Sequence, residues 1–200
     1  NLFGDEPPPP PEAEATLSVT EAGTFEVASA SDAHGGNAGS MVQAASQAAE
    51  VLNGLLEAVG GRLRDPGSVE DLTIGYDGTG LSINGEPVGD PSQRVEALIE
   101  QALAGQPIEG GDIYMKRALY RQVESGEAAP AELIDAIRTA RAYSEARDQA
   151  ERVERLADEP AIREELAGLQ AGETEPRDLS DEARLVHQVR AALADGEAAG

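Results

Sequence analysis

Leu72-Thr73-Ile74-Gly75-Tyr76-Asp77-Gly78-Thr79-Gly80-Leu81-Ser82-Ile83-Asn84-Gly85-Glu86-Pro87-Val88 decides the fold class. Leu72, Ile74 and Tyr76 alternate with smaller residues, Asp77-Gly78-Thr79-Gly80 breaks the run, and Leu81 and Ile83 resume it up to Asn84-Gly85. A period of two interrupted by Gly and Asn is the signature of strands joined by tight turns, because those residues enter positive φ at least cost. The segment therefore reads as a small antiparallel meander, with Glu86-Pro87-Val88 as a brief third strand.

The period changes on both sides of it. Downstream, Asp90-Pro91 reads as an N-cap followed by proline at the first helical position. Val95, Leu98, Ile99, Ala102 and Leu103 then share one face, and Gly105 and Pro107 end the helix. Upstream, Met41, Ala45, Ala48, Leu52, Leu55 and Val59 are spaced 4, 3, 4, 3, 4, a seam at heptad spacing that Gly60-Gly61 closes with a left-handed stop. Its two alanines allow close helix approach, which suits either a bundle core or self-association; we mark the seam as the candidate interaction surface.

Further out, Leu17 and Val19, then Phe25 and Val27, alternate around Glu21-Ala22-Gly23. Residues 16–28 therefore read as a hairpin or an edge strand in search of a partner sheet, and 29–39 as a loop. Residues 1–15, with five successive prolines from Pro7 to Pro11, read as an acidic polyproline spacer. Its tip, Leu2-Phe3, has the form of a short docking motif, although an isolated pair is more often an ordinary linker end. Helices are expected at 112–125, 130–158, 160–170 and 181–195, the last with Ser180 as N-cap. The long one carries Leu133, Ile137, Ala140, Tyr143, Ala146, Ala150, Val153 and Leu156 as a thin stripe among dense mixed charge. The expected fold class is α+β, mostly α: amphipathic helices, a β-meander at about 72–88 and a hairpin or edge strand at 16–28. The expected organisation is a linker (1–15), a short β segment and loop (16–39), helix, meander and helices (40–125), and a charged helical region (126–200).

Composition excludes several function classes. The 200 residues contain 38 Asp and Glu against 15 Lys and Arg, for a net charge of −23, and no cysteine. Thiol catalysis, disulfides and zinc–thiolate sites are thereby ruled out. The first basic residue is Arg62, and no basic stripe exists to neutralise phosphates, so direct nucleic-acid binding is not expected. No apolar run reaches the roughly 18 residues that a membrane helix needs. A start at Asn1, without Met or a basic leader, reads as a piece of a longer polypeptide. The acidity fits a crowded assembly kept soluble by repulsion, and a salty habitat would select the same composition.

Chemical motifs are few. Asp77-Gly78-Thr79-Gly80 could suggest calcium, but the spacing of an EF-hand loop is missing and a hairpin turn explains it. His34 lies in a glycine-rich loop and His187 on a charged helix, neither with a ligating companion at i+4. No serine sits in a nucleophile elbow, no phosphate-binding loop is present, and among so many carboxylates a pair at glycosidase-like separation means nothing. No catalytic, metal or cofactor residues are assigned, and the chain is read as a non-enzyme.

Leu, Ile, Val and Phe total 40, a fifth of the chain, at the border below which strongly charged chains stay disordered. The expectation is therefore that burial comes from neighbouring subunits, and that the isolated chain is oligomeric or loosely folded.

The order of features at 41–90 (an Ala-rich helix ending in Val59-Gly60-Gly61, the strand Leu72-Thr73-Ile74-Gly75-Tyr76, a turn, and Leu81-Ser82-Ile83-Asn84-Gly85-Glu86-Pro87-Val88) resembles the C-terminal region of tail tape-measure proteins of long-tailed bacteriophages. The likeness continues through Arg94-Val95-Glu96-Ala97-Leu98-Ile99 and the charged helix after Pro130, covering about residues 40–158. It implies a structural protein of the virion at the tail tip, a homo-oligomer, expected to be a trimer, contacting other tail or assembly proteins and leaving the tube as DNA is ejected. No catalytic residue carries over. The family's long central coiled coil, hydrophobic segments and peptidoglycan hydrolases have no counterpart here, so the resemblance is to a C-terminal piece only. The alternative is an acidic protein-interaction domain within a large bacterial or phage polypeptide, tethered by residues 1–15.

Overall fold

The computed structural model describes residues 8–65, 67, 69–89, 91–126 and 129–198; the side chains of 91, 92 and 193–198 are likewise outside the description. The pair Leu2-Phe3 and the expected N-cap Asp90 fall outside the described residues. The chain divides into two compact units, residues 1–141 and 142–200.

The first unit is a two-layer α+β sandwich. Its sheet has the order β2-β1-β4-β5-β6, antiparallel throughout. The strands are β1 (Glu12–Val19), β2 (Phe25–Ala33), β4 (Leu72–Tyr76), β5 (Leu81–Ile83) and β6 (Glu86–Val88). Ala13, Ala15 and Leu17 on β1, Leu72 and Ile74 on β4, and Ile83 on β5 are buried on one face. Glu14, Gly75 and Ser82 lie in register along the other. This inside–outside alternation is what a sheet packed on one side requires. The packed side is covered by α1 (Ala38–Ala58) and α2 (Pro91–Leu103), followed by α3 (Ile113–Ser125) and the start of α4 (Pro130–Asp158).

The turns follow from their residues. Asn84 (φ +50°) and Gly85 (φ +80°) both take positive φ between the paired Ile83 and Glu86, a two-residue type I′ connection. The Asn84 Oδ1 also accepts the Thr73 N–H at 2.8 Å, tying the turn to β4.

Three expectations are corrected by the strands. The spacer ends early: β1 begins at Glu12, and Pro10 and Pro11 lie against Gly78 in the β4–β5 turn. The loop assigned to 29–39 begins inside β2, which continues to Ala33, and ends inside α1, which starts at Ala38. Ala28 is unpaired in a bulge between Val27 and Ser29, so alternation changes phase there and the small residues after it lose their strand pattern. The two-stranded ribbon of β3 (Gly61–Leu63) and β7 (Ile108–Gly110) was not anticipated. It is fastened by the Tyr120 hydroxyl, which accepts the Ile108 N–H at 2.8 Å and donates to the Gln106 carbonyl at 2.7 Å. Tyr120→Phe removes both bonds and leaves a partly buried amide without its acceptor, for an expected loss of about 1–2 kcal/mol in chemical denaturation and faster exchange of the Ile108 amide.

The second unit comprises the C-terminal part of α4 with α5 (Pro160–Ala171) and α6 (Asp181–Ala198). Val153, Ala157, Ile162, Leu179, Ala183 and Val186 form its small core. Ser180 caps α6 as expected: its hydroxyl accepts the Ala183 N–H at 3.2 Å, and its own N–H donates to Glu165 at 2.7 Å. The α4 stripe is not continuous. Leu133 and Ile137 belong to the core of the first unit and Val153 to that of the second, while Tyr143, Ala146 and Ala150 between them are exposed.

Candidate functional site

The seam marked as an interaction surface is interior. Ala45, Ala48, Leu52, Leu55 and Val59 are buried among residues of the same chain, and Met41 packs half-buried against that core. Ala49 and Leu56, off the 4-3 spacing, are buried with them. The apolar face of α1 is therefore wide, as a helix lying on a sheet needs, where a coiled-coil seam would be narrow. The correction has a physical cause. Small residues at 45, 48 and 49 bring the helix close to β1 and β2, so a chain with modest apolar content still closes a core in this unit. Of the seam only Met41 stays partly open.

What stays open lies at the rims of the sheet. β6, one edge, is three residues long and contains Pro87, which has no N–H to offer. β2, the other edge, has nine residues and, among the described residues, pairs only with β1. Its first residue is already occupied: Asn53 on α1 accepts the Phe25 N–H at 2.8 Å and donates to the Phe25 carbonyl at 2.9 Å, imitating a neighbouring strand. Beyond it Ala28, Ser29, Ala30, Ser31, Asp32 and Ala33 are all exposed. Small side chains let another backbone approach, whereas the bulge at Ala28 and the charges of Glu26 and Asp32 work against indiscriminate pairing.

A second feature is a cleft of about 290 Å³ between α1 and α2, floored by β4, β5 and β6. Val51 on α1, Leu81 on β5, Val88 on β6 and Val95 on α2 border it, each only partly covered. The guanidinium of Arg94 is its one charged lining group. Arg94 Nη2 donates to the Gly89 carbonyl at 2.9 Å; its Nε–H is shut from solvent and has no acceptor. The sequence places Arg94 on α2 but gives no sign of the cleft, because its lining comes from five separate elements.

The remaining candidates resolve simply. The Asp77 Oδ1 accepts the Thr79 hydroxyl at 2.6 Å and the backbone N–H groups of Thr79 and Gly80 at 2.9 and 3.1 Å, so this loop is a turn that binds its own donors. The Thr79 hydroxyl first, and the two amides after it, hold the carboxyl below its ordinary value of 3.8. Since the ionised form is favoured in the folded turn, its contribution is complete above that ordinary value and fades as the pH falls through the lowered one. Asp77→Asn is expected to flatten that part of the acid limb of a stability–pH profile, and an unchanged acid limb would contradict the turn's role. His34, at φ +53°, is exposed in the turn after β2, and His187 lies on α6 in the other unit. Among the described residues no three His, Asp or Glu are placed to hold a metal ion, and no helix is long and apolar enough to cross a membrane. Exposed ion pairs such as Arg147–Glu151 at 2.9 Å contribute only about 0.3–0.5 kcal/mol each.

Compared with known proteins, the chain matches no family model, no curated protein and no solved structure.

Proposed function

We propose that the chain is a non-catalytic, acidic interaction module of a larger assembly, and that it docks a partner by strand addition at β2. The observation that carries this reading is the outer edge of β2 from Val27 to Ala33, unpaired among the described residues and lined by small side chains. A strand laid there gains main-chain hydrogen bonds, with selection left to side chains and charge. Glu12, Glu14, Glu26 and Asp32 surround this edge, and the net charge of −23 opposes pairing with a second acidic copy. The partner is accordingly a lysine- or arginine-bearing strand.

A narrower form of the reading places the assembly in a phage tail, with the chain at the tail-tip end of a tape-measure protein. Its support is the succession α1, β4, β5, α2, the order on which the resemblance rests. A gene lying between tail-tube and tail-tip genes would support it, and any other neighbourhood would remove it. The three-copy arrangement that goes with it needs surfaces other than the α1 seam.

The test exploits an imbalance: Lys116 is the single lysine. Zero-length carbodiimide coupling in the native assembly therefore joins this chain's carboxylates chiefly to amines of partners. Products at Glu26 and Asp32 that decline with salt are expected. Products confined to the acids of α4, α5 and α6 would overturn docking at β2.

A further inference from the structure

We infer that the cleft between α1 and α2 is a binding site for a small amphiphilic carboxylate, with an aliphatic tail among Val51, Leu81, Val88 and Val95 and its head on Arg94. Three observations meet there. The volume of about 290 Å³ lies at the lower edge of small-ligand pockets, which suits a medium-chain acid and excludes a bulky cofactor. The four bordering side chains come from α1, β5, β6 and α2, and all remain partly open, so the core of the first unit is unfinished here. A chain threaded between the two helices would complete their burial, which is the usual source of affinity for an apolar tail.

The third observation selects the head group. Arg94 stands on the wall of an apolar cleft in a chain rich in carboxylates, yet no described Asp or Glu pairs with it. Its one bond among the described residues, at Gly89, steadies the guanidinium at the end of β6 and leaves the Nε–H without an acceptor there. Unpaired buried donors are uncommon because losing water without gaining a partner is costly. A carboxylate supplies what is missing, since a guanidinium edge and a carboxylate match in both charge and spacing. A neutral alcohol of the same length satisfies the tail but not the head, and a cation is repelled. The surrounding negative field weakens capture of any free anion, so the site depends on the tail as well as the head, and short acids such as acetate bind poorly.

Decanoate and decanol, added to the full chain below their aggregation limits, form the test, read by amide chemical shifts and calorimetry. Decanoate is expected to shift resonances of 44–51, 81–88 and 94–98 and to bind at least about tenfold more tightly than decanol. Arg94→Met, which keeps an unbranched apolar stem and removes the charge, should erase that tenfold advantage and leave decanol binding unchanged. Ala44→Phe, which fills the cleft from α1, should abolish both; it keeps the test decisive if the Arg94 variant fails to fold. Equal affinity for acid and alcohol in the natural chain would overturn the inference. So would shifts scattered over α5 and α6, or binding that survives Ala44→Phe.

Discussion

Leu52→Ala is expected to destabilise the first unit by about 3–4 kcal/mol, measured by urea denaturation followed by far-ultraviolet circular dichroism. Leu52 is fully buried at the middle of α1, in the core formed with Leu17, Ile74 and Leu98. Truncation leaves a void that Ala48, Ala49 and the strand residues are too small to refill. Against a typical total of about 5–15 kcal/mol, such a loss removes a large share of the stability. Val42→Ala, one turn from the start of the same helix and 38% exposed, is expected to change stability by less than about 0.5 kcal/mol. The contrast distinguishes an internal α1 from a seam that another copy covers. If α1 were an assembly surface, Leu52→Ala would act on association and make the midpoint depend on protein concentration; with Leu52 covered by its own chain, the midpoint is expected to be independent of concentration.

Gly111→Ala is expected to cost about 3 kcal/mol or more. Gly111 holds φ +64°, a conformation that disfavours a side chain by about 1 kcal/mol on its own, and a Cβ there would run into the Val59 carbonyl oxygen and the backbone of Gly60. The chain cannot yield without parting β3 from β7, which would disturb Leu63 and Ile108 in the core. Gly105→Ala is the matched control: its φ is +71°, but nothing lies within 4 Å of the added methyl, so only the conformational cost of about 1 kcal/mol applies. Similar losses in the two variants would mean that the close crossing at 59–61 and 110–111 does not govern stability.

That crossing also marks where the sequence stops being readable. Gly60-Gly61 was legible as the end of a helix, because a left-handed stop is a local requirement. That Gly110-Gly111 faces it is a long-range fact that no local pattern records. The six helices and the meander at 72–88 were legible for the same local reason, through periodicity, prolines and turn residues. β1 was placed too late, because its first residues alternate only Glu and Ala, and β2 lost its later half to the bulge at Ala28. The destination of the α1 seam was misread because a 4-3 spacing counts neither Ala49 nor Leu56. Those two residues widen the face enough to lie on a sheet. The cleft at Arg94 had no linear signature at all.

The amide of Asn53, by gripping both main-chain groups of Phe25, acts as an alignment peg for anything that settles alongside. Under the docking proposed at β2, a guest strand would meet it before the Glu21 turn, so its frame would be set from one end, and a shift by a single position would present the wrong alternate side chains to Glu26 and Asp32. Trimming that peg to alanine would leave the scaffold standing yet let visitors dock in several frames, turning one defined complex into a mixture.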